Sequence, residues 1–471
     1  INPAQPWQYW FGIICSCFSA AMVFLPFIFV KKHKNLFATI WAFVLALLLF
    51  VDTIYFSYFS AIPSVGLLSL VGEANGTTSA IIGLIKPQYF LYFFDILLVI
   101  IFIKPIRAFL RKSPILLKKS SLITNLIFST VIIIGFCYSI LLPGVNNLRN
   151  TYNHSYDSIA TSHYYGLVIT HVIDTARFIN QEISIISPAE KAEIHDWVIT
   201  NNPAQQISSL NGIAAGKNVI LIQVESLGSF VINQTISGKE VTPTLNNLAK
   251  TTDYFPNNRF IIGAGHTSDT DFVVNSSYFP LDDASAFVRY GRDDFSGLPK
   301  LLTSNGYSAY AYHGYSRDFW SRNVALASLG YQKFYASDNY SDGQQLNMGL
   351  NDGDFLSETV DYIVNQPKPS LSTVITLSSH IPFEITDLTK DLGINARDYP
   401  DQAGGYLENI NYVDRMLAQF FNKLKENNLY DDSLIIVYGD HTPVLSSFSA
   451  GSINYDSESD QGLEVPLFIK L

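Results

Sequence analysis

The first 142 residues of the chain contain four long apolar stretches, and this feature limits the fold more than any other. The stretches cover residues 6–30, 36–62, 88–103 and 121–142. Most of them approach the roughly 20 residues that an α-helix needs to cross the hydrocarbon core of a membrane, and the third is shorter. We therefore predict that residues 1–142 form an α-helical transmembrane bundle with four visible spans.

Basic residues give the expected orientation of this bundle. The loops at residues 31–34 and 104–119 are rich in Lys and Arg, and such loops stay on the cytoplasmic side of a membrane. The chain after residue 142 is then expected outside the cell, as part of a multi-pass membrane protein. The same count places residue 1 outside, and the chain begins with Ile. We therefore expect one further span before residue 1, which gives five in all.

Charge separates the two halves of the chain. Residues 1–142 carry 10 Lys and Arg against 3 Asp and Glu, which leaves 20 basic and 37 acidic residues in the remainder. An outer part this acidic argues against a nucleic-acid partner, because nucleic acids bind basic surfaces. The three cysteines all fall in the apolar stretches. The sequence therefore predicts neither a disulfide framework nor a cysteine metal site.

A helical juxtamembrane connector is predicted at residues 143–217. Ser187 and Glu190 form a capping-box pattern with Pro188 at the first helical position, which predicts a helix from there to about Asn201. A longer helical pattern precedes it near residues 158–181. The polar segment NNPAQQISSLNG that follows is typical of a linker. It is expected to separate the connector from a catalytic domain at residues 218–471.

Four predicted strands of that domain each end on a residue suited to hold a metal or to move a proton. Glu225 follows NVILIQV, His313 ends SAYAYH, His380 ends STVITLSSH, and Asp440 with His441 follows LIIVYG. Such apolar runs are typical of strands buried on both faces of a parallel sheet, and ligands bind beyond the carboxyl ends of these strands. Any one of these residues also fits a simple strand cap. Together they favour an extracellular α/β domain with a mostly parallel doubly wound sheet and a site at its carboxyl edge.

Thr267 is the candidate nucleophile. It lies in GAGHTSDTDF, a glycine-rich turn before a helical pattern, where free N–H groups and the helix dipole favour an anion. A bound divalent cation would lower the pKa of its hydroxyl. The alternative is that Thr267 is a helix cap, which is the more usual role of a threonine at this position.

Several motifs in one order carry a family resemblance. They are NVILIQVES, GHTSDTDF, HGYSRDFWSRN, LGYQKFY, NMGL, TLSSHIPF and YGDH. In these motifs the chain resembles the lipoteichoic acid synthase family, which are bacterial membrane phosphoglycerol transferases of the alkaline phosphatase and sulfatase superfamily. The resemblance covers residues 218–471 closely and the membrane half in architecture.

The resemblance implies a set of site residues. One divalent cation, typically Mn²⁺, would be bound by Glu225, Thr267, Asp440 and His441, with Thr267 as the nucleophile. The residues implied around the glycerol phosphate group are His313, Trp320, Arg322 and His380. Two positions depart from some relatives: Tyr315 stands where they carry Asp, and His266 stands where they carry Lys. These departures concern the substrate contacts and leave the metal ligands intact.

The chemistry of these residue types agrees with the implied roles. Two carboxylates, a hydroxyl and an imidazole suit Mn²⁺ or Mg²⁺ better than an ion that prefers thiolates. Arg322 is able to bind phosphate oxygens in a bidentate manner, with Trp320 as an apolar wall beside it. Each of these two residues alone would also fit ordinary packing and a solvated charge.

The resemblance implies a two-step transfer. Thr267 attacks the phosphodiester of phosphatidylglycerol, which releases diacylglycerol and leaves glycerophosphoryl-threonine, and an acceptor hydroxyl then takes the glycerol phosphate. His313 or His380 would give a proton to the leaving oxygen or take one from the acceptor. The acceptor would be a glycolipid, as in lipoteichoic acid synthesis. The nearest alternative is the decoration of a surface polysaccharide with glycerol phosphate by the same residues.

Two more distant alternatives fit the sequence less well. A sulfatase would carry a C/S-x-P-x-R signature, which GHTSD lacks, and an alkaline phosphatase would need ligands for two or three metals. A sensor or scaffold that kept only the fold would usually have lost metal ligands. Two further expectations concern the C-terminal end: the Ser- and Asp-rich segment 446–462 is expected to be a mobile loop, and VPLFIKL another strand of a domain that stops short.

Overall fold

The computed structural model describes most of the chain after residue 210 and parts of the chain before it. The described residues are 30, 33–59, 62–68, 85–94, 96–97, 101, 130, 161–162, 166–183, 186–201, 210–282, 284–395 and 398–471. The chain divides into two compact units, one made of residues 1–66 and 84–201 and the other of residues 67–83 and 202–471. The first and fourth predicted spans lie outside the described residues, apart from single positions.

The N-terminal unit contains one long apolar helix in its described part. Helix α1 (Lys34–Phe59) includes a segment, Leu36–Ser57, that is long and apolar enough to cross a membrane. This helix agrees with the second predicted span. The third predicted span begins as a 3-10 helix, Pro87–Phe93, and rings of this segment pack against α1, with Phe90 and Phe93 5.4 Å and 5.6 Å from Phe50.

Two further helices of this unit match the predicted connector. They are α2 (Leu167–Ile183) and α3 (Pro188–Asn201). The predicted capping box at the start of α3 is confirmed. The Glu190 N–H donates to Ser187 Oγ at 3.2 Å, and the Ser187 N–H donates to Glu190 Oε2 at 2.8 Å. The predicted domain boundaries at residues 142 and 217 stay predictions.

The C-terminal unit is built on strands and helices that alternate along the chain. Its strands are β1 (Asn218–Val224), β2 (Thr235–Ile236), β3 (Lys239–Glu240), β4 (Asp253–Arg259), β5 (Ser308–His313), β6 (Lys333–Tyr335), β7 (Gln345–Leu346), β8 (Gly349–Leu350), β9 (Ser370–Ile375), β10 (Ser433–Gly439), β11 (Phe448–Ala450), β12 (Ile453–Tyr455) and β13 (Glu464–Lys470). Its helices are α4 (Pro243–Thr251), α5 (Thr267–Ser276), α6 (Ala286–Tyr290), α7 (Leu298–Ser304), α8 (Arg322–Leu329), α9 (Asp352–Asn365) and α10 (Ala403–Glu426).

Seven of these strands form one sheet in the order β4-β13-β10-β1-β9-β5-β6. The strands from β10 to β6 pair in parallel, and β13 runs antiparallel to both of its neighbours. This sheet confirms the α/β part of the predicted fold class, while the described part of the predicted transmembrane bundle contains one helix of membrane-spanning length. The segment VPLFIKL forms a strand as expected, within β13.

Small and apolar side chains allow helices to pack closely on this sheet. All six residues of β5 and all six of β9 are buried, as expected for strands covered on both faces. On one face, residues of β1, β5, β9 and β10 form a core with α5, α6 and α8. Its buried members are Leu221, Phe272, Ala286, Phe287, Ala309, Ala311, Ala325, Leu326, Leu329, Tyr331, Leu371 and Tyr438.

The pairing register brings the predicted strand-end residues to one edge of the sheet. Val224 pairs with Gly439 across β1 and β10, so the residues that follow them, Glu225 and Asp440, leave adjacent strands at the same level. His313 pairs with the last residue of β9. The sheet therefore supplies the shared edge on which the sequence-based site depends.

The expected mobile loop at residues 446–462 is wrong in part. Strands β11 and β12 form an antiparallel hairpin there, and alternate residues of the hairpin are buried, including Phe448 and Tyr455. Phe230 contacts both rings, with its centroid 4.2 Å from that of Tyr455. The high content of Ser and Asp in the segment masked this short apolar alternation.

The buried carboxylate of Glu408 on α10 gives a stability prediction. It accepts the N–H groups of Leu392 and Ile394, both at 2.9 Å, and also that of Asp391. Glu408→Ala would leave these donors without an acceptor, so we expect the free energy of unfolding to fall by about 3 kcal/mol or more. Urea unfolding of the full chain in detergent measures the change. Glu426→Ala, at the exposed end of the same helix, should change it by less than about 0.5 kcal/mol, and equal effects of the two substitutions would contradict the assignment.

Candidate active site

Three buried side chains converge at the carboxyl edge of the sheet. One ligand atom from each of Glu225, Asp440 and His441 lies within 4.8 Å of the others. Glu225 directly follows β1, and the other two directly follow β10. The in-register pairing of these strands therefore explains why residues more than two hundred positions apart in the chain meet.

Asp440 has one satisfied and one unsatisfied carboxylate oxygen. Its Oδ1 accepts the N–H groups of Ser226 and His441, both at 2.7 Å. Within the described part of the chain its buried Oδ2 has no hydrogen-bond partner. Because buried polar atoms in proteins are almost always paired, this oxygen indicates a ligand such as a cation.

The imidazole of His441 is oriented toward the same point. Its Nδ1 lies 3.0 Å from the carbonyl oxygen of Thr442, and a carbonyl only accepts, so Nδ1 carries the proton in the neutral ring. Nε2 then presents a lone pair, at 3.6 Å from Glu225 Oε1 and 3.6 Å from Asp440 Oδ2. A hydrogen bond of this kind is what fixes the tautomer of metal-binding histidines.

The electrostatics of the cluster favour a cation. Burial and the negative charge of Glu225 raise the pKa of Asp440 well above its usual range. For Glu225, burial also raises the pKa, but the charges that His441 and His380 carry when protonated, together with the hydrogen bonds from Ser226 and Thr267, outweigh it and lower the pKa to about 2. Two buried carboxylates this close do not both ionise without positive charge between them. Two carboxylates and an imidazole fit a divalent cation.

Thr267 contacts the cluster through its hydroxyl. Its Oγ1 donates to Glu225 Oε2 at 3.1 Å and lies 3.5 Å from His441 Nε2. Thr267 is the first residue of α5, and the residue at the cap position is His266. The alternative of Thr267 as the helix cap is therefore wrong, because its hydroxyl faces carboxylate and imidazole instead of the helix backbone.

The loop before Thr267 is held by a buried carboxylate. Asp269 Oδ2 accepts the N–H groups of Gly263 and Gly265 at 2.8 Å and 2.9 Å. A Cβ at position 265 would lie 2.3 Å from Asp269 Oδ1, so only glycine lets the loop approach this closely. The loop ends at His266 with φ of 44°, and this turn presents Thr267 to the cluster.

His313 and His380 lie at the same edge. His313 Nδ1 is 3.0 Å from the carbonyl oxygen of Ile375, and His380 Nδ1 is 2.6 Å from that of Ile381. Burial and the positive charge of Arg322 lower the pKa of His313 to about 3. His313 is therefore a neutral ring with Nε2 available as an acceptor.

Arg322 and Trp320 are the remaining sequence-predicted residues. Arg322 is buried at the start of α8, and its Nε donates to Asp271 Oδ2 at 2.8 Å. Its Nη2 has no hydrogen-bond partner among the described residues. Trp320 adopts a left-handed backbone conformation with φ of 58° and packs against Phe319 at 5.3 Å. Its place against the substrate stays a prediction.

Sequence reasoning missed several polar residues that support the site. Ser226 Oγ donates to Glu225 Oε1 at 2.7 Å, and Thr376 Oγ1 accepts the Glu225 N–H at 3.0 Å. Asp271 lies four residues after Thr267, on the same face of α5. A search for polar residues one helical turn from the nucleophile would have found Asp271.

The chain matches known families over both halves. A family model described as Sulfatase matches residues 217–471, and one described as Lipoteichoic acid synthase N-terminal domain matches residues 1–185. Lipoteichoic acid synthase 2 of Bacillus subtilis (strain 168) is 29% identical over 473 residues, which are 96% of this chain and 70% of that protein. The lipoteichoic acid synthase of Staphylococcus aureus (strain USA300) is 31% identical over 440 residues, which are 89% of this chain and 65% of that protein.

A solved structure agrees with this match. The lipoteichoic acid synthase LtaP from Listeria monocytogenes superposes with a TM-score of 0.50 at 27% identity, over 55% of this chain and 66% of that one. The chain spans between 65% and 70% of the length of the curated relatives named above. The chain belongs to the family described as Sulfatase, and its N-terminal part matches the lipoteichoic acid synthase N-terminal domain.

Proposed function

We propose that the protein transfers glycerol phosphate from phosphatidylglycerol to a cell-envelope acceptor, as in lipoteichoic acid synthesis. The observation that carries this proposal is the contact of Thr267 Oγ1 with Glu225 and His441 at the edge of a sulfatase-type sheet. A hydroxyl placed against metal-type ligands is suited to nucleophilic attack on phosphorus. The names of the relatives supply the substrate class.

Four residues would hold the cation in this proposal: Glu225, Thr267, Asp440 and His441. The donor set is rich in oxygen, which suits Mn²⁺ or Mg²⁺, and we propose Mn²⁺ as the ion used. When bound, the cation would stabilise the deprotonated hydroxyl of the nucleophile and neutralise the two carboxylates. The unpaired Asp440 Oδ2 and the lone pair of His441 Nε2 support this assignment.

The proposed reaction has two steps, and in each step one bond to phosphorus forms while another breaks. In the first, Thr267 Oγ forms a bond to the phosphorus of phosphatidylglycerol, and the bond from phosphorus to the diacylglycerol oxygen breaks. In the second, an acceptor hydroxyl attacks the same phosphorus, and Thr267 Oγ leaves. Burial keeps His313 neutral, so we assign it as an acceptor of hydrogen bonds. We assign His380 as the group that gives a proton to the leaving diacylglycerol oxygen in the first step and takes the proton of the acceptor hydroxyl in the second.

Position in the cell follows from the lipid donor. The chain carries an apolar helix of membrane-spanning length, and its relatives include lipoteichoic acid synthases. We propose a multi-pass protein of the bacterial cell membrane whose catalytic unit lies outside the cell, next to phosphatidylglycerol in the outer leaflet. The acceptor is proposed to be a glycolipid. Labelled phosphatidylglycerol supplied with a glycolipid or with a surface polysaccharide would show which of the two becomes labelled.

Substitution of Thr267 tests the covalent step. Thr267→Ala should fold, bind Mn²⁺ more weakly because one ligand is lost, and transfer no glycerol phosphate, whereas Thr267→Ser should retain part of the activity because it keeps the hydroxyl. Mass spectrometry of the parent incubated with phosphatidylglycerol and no acceptor should find a glycerophosphoryl group on the peptide that contains Thr267. Ser276→Ala, which removes a hydroxyl from the same helix, is the control and should leave transfer unchanged. Full turnover by folded Thr267→Ala would exclude the covalent route.

Substitution of Asp440 by Asn tests the metal site, because its expected effects on thermal stability without and with Mn²⁺ have opposite signs. Asp440 has a raised pKa, so folding disfavours its ionised form and the buried carboxyl lowers the stability of the metal-free fold at neutral pH. Asp440→Asn should therefore unfold at the same temperature as the parent or higher when a chelator is present. Mn²⁺ at about 100 times its Kd should stabilise the parent by about 2.7 kcal/mol and the variant by much less. Thermal unfolding and metal analysis measure both effects. Equal stabilisation of the two proteins by Mn²⁺ would remove Asp440 from the ligand set.

Cysteine labelling tests the topology. After replacement of the native Cys15, Cys17 and Cys137, single cysteines are introduced at Lys112 and at the exposed Ser316. An impermeant maleimide added to intact cells should label position 316 and leave position 112 unlabelled, because the basic loop is expected to be cytoplasmic. Labelling of both positions after permeabilisation is the control. The reverse pattern in intact cells would refute the proposed orientation.

A further inference from the structure

A buried polar chain lies beside the nucleophile, and two of its three members, Gln223 and Asp271, have no role in the proposed reaction. We call it the Asp271 bridge, and it consists of Gln223, Asp271 and Arg322. Gln223 Nε2 donates to Asp271 Oδ1 at 2.9 Å, and Arg322 Nε donates to Asp271 Oδ2 at 2.8 Å. Tyr438 OH donates to Gln223 Oε1 at 3.1 Å from the neighbouring strand. Each oxygen of Asp271 thus has one defined donor.

The bridge leaves one end of the guanidinium without a partner. The side chains of Asp271 and Arg322 are each only 1% exposed, and removing such a pair from water is expensive unless every polar atom is satisfied. Arg322 Nη2 is nevertheless buried without a hydrogen bond in the described structure. An anion that enters the site would supply the missing acceptor, and guanidinium groups bind phosphate oxygens strongly.

The Asp271 bridge also fixes the position of Arg322 relative to the nucleophile, Thr267. Asp271 and Thr267 both lie on α5 and are separated by four residues, which is about one helical turn. Gln223 ties Asp271 to β1, the strand that ends one residue before Glu225. The position of Arg322 relative to the Thr267 hydroxyl is therefore set by one turn of helix and one central strand.

We propose that Asp271 is a positioning residue, which turns Arg322 so that its free Nη2 meets the phosphate of the substrate as Thr267 attacks. This inference rests on the proposed transfer of glycerol phosphate. Asp271 itself does not touch the substrate. Its carboxylate occupies Arg322 Nε and thereby selects the edge of the guanidinium that faces the reacting group, while Gln223 prevents the carboxylate from rotating.

Two neutral substitutions separate orientation from charge. Asp271→Asn removes the charge but keeps an oxygen for Arg322 Nε, and its amide group is satisfied if the Gln223 amide turns over. The Tyr438 hydroxyl then accepts from Gln223 instead of donating. Asp271→Ala removes the charge and both hydrogen bonds. The comparison of Asn with Ala at this position therefore excludes the charge and measures the loss of the hydrogen bonds together with the lost side-chain volume.

The decisive experiment repeats this comparison in the Arg322→Ala background. With Arg322 present, we expect Asp271→Ala to have a kcat for glycerol phosphate transfer that is lower than that of Asp271→Asn by roughly tenfold or more, with a smaller change in KM. With Arg322→Ala, the two variants should have the same kcat. If kcat is lower for Asp271→Ala than for Asp271→Asn by the same factor in both backgrounds, the role of Asp271 is only structural, and the proposal is overturned. Equal kcat values of Asp271→Asn and Asp271→Ala with Arg322 present would also overturn the proposal.

The same comparison of variants in the two backgrounds is repeated with phosphate binding as the measured quantity, so that the result does not depend on turnover. Equilibrium dialysis of radiolabelled inorganic phosphate with the full chain in detergent should show weaker binding by Asp271→Ala than by Asp271→Asn, and this difference should vanish with Arg322→Ala. If the parent transfers no glycerol phosphate, the proposed function fails, and the phosphate cycle still decides whether Asp271 acts through Arg322. Binding of Mn²⁺ unchanged from the parent shows that each variant keeps the metal cluster.

A second route covers the case in which Asp271→Ala does not fold. Gln223→Met keeps the volume of the side chain and removes the hydrogen bond that holds Asp271 Oδ1. It should lower kcat with Arg322 present and have no effect on kcat in the Arg322→Ala background. An equal loss in both backgrounds would assign Gln223 to the stability of the sheet and contradict the proposal.

Discussion

The rest of the site depends on the approach of two carboxylates, Glu225 and Asp440, at the ends of adjacent parallel strands. Strand pairing in register gives neither residue the freedom to move away. Burial makes their repulsion strong, since the interior screens charge poorly, and burial together with the charge of Glu225 raises the pKa of Asp440 well above its usual range. A divalent cation between them removes the conflict. The sheet thus creates a requirement for positive charge that a metal ion meets.

Much of this could be predicted from the sequence because the signal is local. Apolar runs that end on Glu225, His313 or Asp440 mark both the strands and the edge of the sheet at which they end. The α/β class and the parallel sheet were accessible in this way, whereas the family was suggested by the resemblance of several motifs in one order. The hydrogen bond between His441 and the Thr442 carbonyl could not be predicted. The sequence shows which groups a histidine is able to bind, but it does not show which of them lies next to the ring in the fold.

The features that the sequence did not reveal depend on contacts between distant segments. The hairpin at β11 and β12 is ordered by Phe230, which lies more than two hundred residues before it. Its own residues carry only a short alternation between polar positions. Asp271 likewise looks like an ordinary helix residue until Arg322 and Gln223 pack against it. Such partners become visible only when the register of the sheet and the path of the chain are known.

The start of α5 is a run of polar residues that is buried next to the site. The five residues from Thr267 to Asp271 are polar, and a polar run at the start of a helix is normally solvated, yet all five are buried. Four of them bind within the protein: Thr267 to Glu225, Ser268 to the Gly265 carbonyl, Asp269 to loop N–H groups and Thr270 to the Asp440 carbonyl. The fifth, Asp271, likewise binds within the protein, by accepting from Arg322. Among the described residues, Arg322 Nη2 and Asp440 Oδ2 are both buried without a hydrogen-bond partner. One unpaired atom is a donor and the other an acceptor, as a phosphate and a metal cation respectively require.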